Sequence, residues 1–467
     1  MARADKVYAR LPIRAQHAAV TAFGAGWAWA RFGPGFRHDL TEFELRDRWS
    51  RAEWDRYTER ELQAVLSEAV DHVPYYRATY TAAQLRAARA GRLSELPLLE
   101  KEPLRADPQQ FVDPTMRPRR PRTFLTSGSS GTPIANVMST RELRSTMAIR
   151  EARSARWAGV SFRSPRATFS GRMVEPDPAS PGPFYRFNAV ERQIYLSAFH
   201  LRPDTAETYV QAFRRHHIEW ATGYAVSFDL LARFILDAGI PPLSLKAIIT
   251  TSEKLTGPMR ARISAAFGCR VFEEYAAVEN TFFVSECAAG SLHVSPDAGV
   301  VEILRPDGTP TEAGEVGEVV VTGLLRRVQP LIRYRIGDLA AWRSDSCGCG
   351  RSMPVIAEVS GRVEDVVVGP DGRQLVRFHG VFVGLDHIVE GQVVQEATDR
   401  FRVHVIGDQS FDHGDEAEVV ARMKQRLGDV DVRVVLVDEI PRSAGGKFRA
   451  VVSELKDSAA PGDVPAY

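Results

Sequence analysis

Five stretches of the 467-residue chain carry side chains suited to chemistry. The first is Thr126-Ser127-Gly128-Ser129-Ser130-Gly131-Thr132, which offers hydroxyl donors and a backbone free to turn its N–H groups toward an anion, until Pro133 ends that freedom. No lysine follows its second glycine, so it is not the Gly-x-x-x-x-Gly-Lys-Ser/Thr loop, and a linker has the same composition. In FEEYAAVEN, Glu279 follows a strand-like entry; a surface or helix-capping acid is the alternative. Asp338 follows Gly337 in RYRIGDLA, which places it at the end of a strand, where a carboxylate can take both hydroxyls of a ribose or be an ordinary turn residue. Gly361-Arg362 leads into the acids Glu364 and Asp365. Lys447 follows two glycines in IPRSAGGKFRA, in a chain where seven of the 60 basic residues are lysine. A compact ammonium does chemistry that a guanidinium does not.

Cys287, His293, Cys347 and Cys349 form a possible Cys3His set, the ligand chemistry that tetrahedral zinc takes. The spacings are not Cys-x-x-Cys, and buried thiols with a core histidine are the alternative; Cys269 reads as core. Four cysteines in a chain of this length do not make a disulfide scaffold.

The elements that must position these groups alternate. Residues 41–70 have helical apolar spacing up to a break at Pro74, and 97–122 form an irregular, proline- and arginine-rich stretch. Short apolar runs such as IEWATGY and LKAIITTSE then alternate with helical segments, which predicts a parallel or mixed sheet flanked by helices. From Val300 the pattern becomes strand-turn-strand around Pro-Asp-Gly-Thr. Beyond SGRVEDVVV, about a hundred residues read as a compact α+β unit.

Composition narrows the classes. An apolar fraction of 44%, a charged fraction of 25% and a net charge of +1 are those of an ordinary globular protein and give no reason to expect nucleic acid. The segment ARLPIRAQHAAVTAFGAGWAWARFG predicts an amphipathic helix docked on the body, with rest on a membrane surface as the alternative. Neither a spanning segment nor a signal-peptide layout is read, so a cytoplasmic location is expected.

Taken in order, TSGSSGTP, ITTSE, EEYAAVE, RYRIGDL, GRVED and PRSAGGK resemble the signature series of the adenylate-forming superfamily of acyl– and aryl–CoA ligases, adenylation domains and luciferases. The resemblance covers roughly residues 120–450. HVPYYR points to the phenylacetate–CoA ligase branch, and the first and late segments are similar to its capsular polysaccharide biosynthesis subgroup. The implied fold is α/β with an α+β lid: a helical region (1–119) packed on an adenylation core of mixed sheets and helices (120–362), then a small mobile domain (363–467). Some phenylacetate–CoA ligase relatives carry a comparable Cys…His…Cys-x-Cys-Gly set, which implies structural zinc.

The resemblance implies roles for residues. Thr126 and residues 127–132 would close on the β- and γ-phosphates of ATP, and Glu279 would hold Mg2+. Ser252, Glu253, Glu274, Tyr275 and Ala276 would line the nucleotide pocket, with Asp338 on the ribose and Arg362 beside it. Glu364 and Asp365 would form the hinge, and Lys447 would reach the α-phosphate and the substrate carboxylate. Tyr224, Phe228 and Phe282, with Phe283, offer aromatic walls for an aryl or arylacetic acid, or core packing. Two departures stand out: Tyr-Ala-Ala-Val-Glu replaces the glycine and threonine of many relatives, and Glu364 replaces their usual aspartate.

The expected reaction activates a carboxylic acid as acyl-AMP with loss of pyrophosphate, then transfers it to a thiol such as CoA. Transfer to an amine or other nitrogen nucleophile is the nearest alternative, and a non-catalytic nucleotide-binding protein the third. A homodimer is left open.

Overall fold

The computed structural model describes residues 8, 11–116, 118, 121–126, 134–170, 174–175, 180–198, 200–362, 367–370, 374–375, 378–382, 385, 387–441 and 448–455. They divide into two units: the first holds the described residues up to 336 and 340–359, the second 337–339 and the described residues from 360 onward.

The first unit opens with helices α1 (Ile13–Phe32), α2 (Phe36–Arg46) and α3 (Arg51–His72). The single helix expected over 41–70 is therefore two. Ser50 restarts the chain as a capping box, its Oγ accepting the Glu53 N–H at 3.4 Å while the Glu53 carboxylate accepts the Ser50 N–H at 2.7 Å. Val73 ends α3 in an extended conformation, as a residue before proline favours, and Pro74 opens α4 (Pro74–Thr79). α5 (Ala82–Arg89) follows, and α6 (Lys101–Ala106) lies inside the stretch expected to be irregular.

A hairpin comes next: β1 (Arg122–Leu125) pairs antiparallel with β2 (Ala135–Met138), Leu125 opposite Ala135. α7 (Thr140–Arg150) continues directly into a π-helical turn at Glu151–Ala155. The main sheet is built from β3 (Arg166–Phe169), β4 (Tyr185–Asn188), β5 (Gln193–Leu196), β6 (Trp220–Tyr224), β7 (Ala247–Thr251) and β8 (Arg270–Tyr275). To these it adds β9 (Val284–Glu286), β10 (Leu292–Val294), β11 (Gly299–Leu304), β12 (Val316–Gly323), β13 (Tyr334–Trp342) and β14 (Val355–Arg362). The order across it is β11-β12-β13-β14-β10-β9-β8-β7-β6-β3-β5-β4.

Within it, β5, β3, β6, β7 and β8 run parallel, joined by crossovers through α8 (Ala206–Arg215), α9 (Ala225–Asp237) and α10 (Gly257–Phe267). Every residue of β5 and β6 is buried, as expected of parallel strands covered on both faces. β4 with β5, β8 through β9 and β10 to β14, and β11 with β12 pair antiparallel, so the mixed sheet read from the alternation is present.

α1 docks as the sequence suggested. Arg144 of α7 donates to the carbonyls of Trp29, Ala30 and Pro34 at its end, and the His17 ring nitrogen accepts the Phe187 N–H of β4 at 2.8 Å.

The second unit contains two short paired strands, β15 (Val367–Val368) and β16 (Gln374–Leu375), and a four-stranded sheet. That sheet comprises β17 (Ile388–Ala397), β18 (Arg400–Gly407), β19 (Asp431–Leu436) and β20 (Val451–Ser453), in the order β19-β18-β17-β20. α11 (His413–Leu427) buries Val419, Met423 and Leu427 in one cluster with Val393, Val403 and Val405. The expected α+β character is present.

The tyrosine pair of HVPYYR has a structural task. Tyr76 is fully buried, and its hydroxyl donates to the Pro330 carbonyl at 3.0 Å and accepts the Ile332 N–H at 3.1 Å. Burial pushes its phenol well above the ordinary range, so the hydroxyl stays a donor. Tyr76→Phe should therefore cost about 1–3 kcal/mol of stability, read as a lower urea midpoint. An unchanged midpoint would show that this bridge is energetically idle.

Candidate active site

Thr126 stands at the mouth of the Ser/Gly stretch. Its N–H donates to the Ile134 carbonyl at 3.1 Å, and its Oγ1 accepts the Ile134 N–H at 2.9 Å. Residues 127–133 thus connect two strands already paired in antiparallel register. Ser127, Gly128, Ser129, Ser130, Gly131 and Thr132, expected on the phosphates, lie outside the described residues, as do Glu364, Asp365 and Lys447.

Glu279 lies four residues beyond the end of β8 and is 7% exposed. Its Oε1 accepts the hydroxyl of fully buried Tyr334 at 3.1 Å. Its backbone carbonyl accepts Arg326 Nη1 at 2.5 Å, and Arg326 Nη2 donates to the Val137 carbonyl of β2 at 2.7 Å. One buried guanidinium therefore joins the acid to the strand that leaves the Ser/Gly stretch. Burial pulls this arginine below its usual range, while nearby Glu142 and Glu279 act in the opposite sense.

The surrounding segment is fixed at several more points. Glu142, in the capping box of α7, accepts the Arg327 and Val328 N–H groups at 2.8 and 2.9 Å. Gln329 Oε1 accepts the Val137 N–H at 2.8 Å. Gly299 lets the Glu279 loop sit close, because a Cβ there would lie 1.9 Å from the Thr281 carbonyl. Sequence reading missed Arg326, Gln329 and Tyr334. The available signal was three polar side chains, Arg326, Arg327 and Gln329, in the otherwise apolar run GLLRRVQPLI.

The other site residues expected in the first unit fall at strand ends, in turns and in α9. Ser252 is exposed just past β7, with φ +69. Glu253 accepts the Val226 N–H in the first turn of α9 at 2.9 Å, the end of a helix where an anion is favoured. Glu274 is buried and held by Arg150 and Ser154, at 2.5 and 2.7 Å, so it positions β8. Tyr275 packs edge-on against Phe282 at 4.8 Å, and Ala276 is partly buried against the core cluster that holds Ile249, Phe272 and Phe283. Tyr224 ends β6; Phe228 lies fully buried among Phe169 and Phe267, and Phe282 belongs to another core cluster. Phe228 and Phe282 therefore pack in separate cores and do not share one wall.

Asp338, of the second unit, was expected at a strand end but stands in mid-β13. Gly337 precedes it at φ +78, a left-handed conformation that bends the strand without ending it. Arg362 closes β14.

The Cys/His set does come together. Cys287 follows β9, His293 is in β10, and Cys347 and Cys349 lie between β13 and β14. Their four ligand atoms lie within 4.8 Å of one another. The Cys287 and Cys347 sulfurs are 3.6 Å apart, and Cys349 Sγ is 3.3 Å from His293 Nε2. His293 Nδ1 faces the Met353 carbonyl at 3.4 Å, an arrangement that orients the ring and leaves Nε2 for a ligand. Burial lowers His293 to about 4, which keeps it neutral. Burial raises the Cys347 thiol, but hydrogen bonds from Ser291 and Cys349 outweigh it and bring it down to about 7. Three thiols and a neutral imidazole at these distances fit a tetrahedral metal.

A family model described as the CapK C-terminal domain matches residues 367–454. Protein CapK of Staphylococcus aureus is 26% identical over 314 residues, 64% of this chain and 67% of that protein. Phenylacetate-coenzyme A ligase of Thermus thermophilus is 26% identical over 281 residues, 53% of this chain and 62% of that enzyme. Among solved structures, 2-hydroxyisobutyryl-CoA ligase in the postadenylation state in complex with 2-HIB-AMP is similar at a TM-score of 0.68 and 21% identity. That match covers 88% of this chain and 91% of the other, and it shows the adenylate-forming CoA ligase fold.

Arg326→Ala strands the Glu279 and Val137 carbonyls in a buried site. A loss of about 3 kcal/mol or more is expected by chemical denaturation. A loss below about 1 kcal/mol would mean that water or another group replaces the guanidinium.

Proposed function

We propose, for a chain that belongs to the phenylacetate–CoA ligase-like branch of the adenylate-forming family and to its CapK-like subgroup, an AMP-forming acid–thiol ligase activity. A carboxylate oxygen attacks the α-phosphorus of ATP, pyrophosphate leaves, and an acyl adenylate remains. The thiol of CoA then attacks the acyl carbon and AMP leaves. The observation that carries this reading is the Arg326 bridge, which sets Glu279 against the strand following the Ser/Gly stretch.

The roles follow from placement and residue type. Thr126 and residues 127–132 receive the β- and γ-phosphates, with the Thr126–Ile134 bonds closing the base of that loop. Glu279 offers the oxygen donor a hard divalent cation takes, and Mg2+ there would offset phosphate charge. Ser252, Tyr275 and Ala276 border the adenine, Glu253 and Glu274 hold the strand ends that carry them, and Asp338 takes the ribose hydroxyls with Arg362 beside it. Lys447 brings its ammonium to the charge that builds on the α-phosphate and the substrate carboxylate, and Glu364 and Asp365 form the hinge of the small domain. Cys287, His293, Cys347 and Cys349 hold structural zinc. No described helix is long and apolar enough to cross a membrane.

Pyrophosphate release with a panel of carboxylic acids, with and without CoA, tests the activity. Acid-dependent release followed by thioester formation is expected; an amide formed instead would assign the acceptor to nitrogen, and silence across a broad panel would favour a non-catalytic nucleotide-binding protein. Lys447→Ala should lower adenylate formation by about 100-fold or more while ATP binding persists. Unchanged turnover would remove that lysine from the chemistry. Elemental analysis should find one zinc per chain, lost together with thermal stability in Cys287→Ser. Metal-free protein indifferent to zinc would refute the site.

A further inference from the structure

The geometry points to α1 as a docking surface for an anionic membrane: we infer that its outward face rests on acidic phospholipid head groups. α1 is apolar on two sides. One side packs on the body; the other exposes Phe23 at 61% and Trp29 at 63%, set among alanines and Gly26. Large aromatics this exposed, six residues apart on one helix, are what an interfacial helix presents to lipid.

Charge selects the occupant. Residues 11–38 contain no aspartate or glutamate, yet carry Arg14, Arg31 and Arg37, of which Arg31 is buried and paired with Glu191. Arg14 is exposed in the first turn of α1, and Arg37 is exposed in the first turn of α2, which follows it. Arg144 lies over the Trp29 ring at 4.8 Å and Arg122 over the Trp27 ring at 5.3 Å, so cations border the aromatic surface along its length. The acids of neighbouring elements are already engaged. Asp39 is paired with Arg141, and Glu191 is buried with Arg31 and Arg166. Glu42 and Glu44 are paired with Arg46 and Arg156.

A second copy of the chain fits this face poorly. A two-fold contact sets the same patch against itself, so these arginines would oppose one another with no described carboxylate free between them. Phosphodiester head groups supply the missing negative charge, while Phe23 and Trp29 enter the boundary between head groups and acyl chains. A cationic rim around an aromatic face complements that surface in both chemistry and depth.

Co-sedimentation of the full chain with vesicles of about 30% phosphatidylglycerol in phosphatidylcholine tests the assignment. Partitioning should fall about 10-fold on pure phosphatidylcholine vesicles, and about 10-fold for the variant Phe23→Ser/Trp29→Ser. Both side chains are mostly exposed, so the variant should melt with the parent. Arg14→Glu provides a second arm and should weaken binding to the anionic vesicles only. Equal partitioning of parent and variants would overturn the proposal. So would no binding at all, or a parent dimer in sedimentation velocity that the double variant abolishes, which would assign the face to a second copy.

Discussion

A buried arginine that donates to two carbonyls far apart in sequence is the constraint on which the candidate site depends. Arg326 reaches the Glu279 carbonyl on one side and the Val137 carbonyl on the other. A guanidinium suits this because its donors form a rigid planar fork, whereas an ammonium would satisfy the same geometry loosely. Removing such a charge from water is costly, and the two carbonyls with nearby Glu142 and Glu279 offset that cost only if each stays in place. The bridge therefore fixes position more than it adds stability.

The rest of the first unit serves to hold that bridge still. Residues 326–334 form a crosspiece with a partner at nearly every step: Glu142 on the backbone of 327 and 328, Gln329 on β2, Tyr76 on the backbone of 330 and 332, and Tyr334 on the Glu279 carboxylate. The N-terminal helices are part of this frame, because the buried side of α4 supplies Tyr76. A carboxylate poised for cation binding is thereby held on a chain segment with little freedom, which is how a site avoids reorganising when charge arrives.

How much of this could be read from the sequence depended on the range of the interaction. The alternation of apolar runs and helices led directly to the parallel strands β6, β7 and β8, because each of these announces itself within a few residues, whereas β3 and β5 were not read. The Cys/His set was legible as residue types, although its spacing was unusual; two adjacent strand connections bring the four groups together. The role of Arg326 was not legible: the apolar run around it marks it as unusual, but its partners lie 47 and 189 residues away. The break at Ser50 was missed because helical spacing runs through it while the capping box is a matter of two side chains. Asp338 was placed at a strand end on the strength of Gly337, but β13 absorbs that glycine and continues to Trp342.

The candidate site requires that the Ser/Gly stretch and Glu279, which Arg326 ties to β2, meet one nucleotide. A crystal structure of the chain with ATP and Mg2+ measures this directly. The expected result is a cation about 2.1 Å from a Glu279 carboxylate oxygen, with the β- and γ-phosphates lying against residues 126–132. Nucleotide bound elsewhere, with Glu279 remote from the metal, would contradict it.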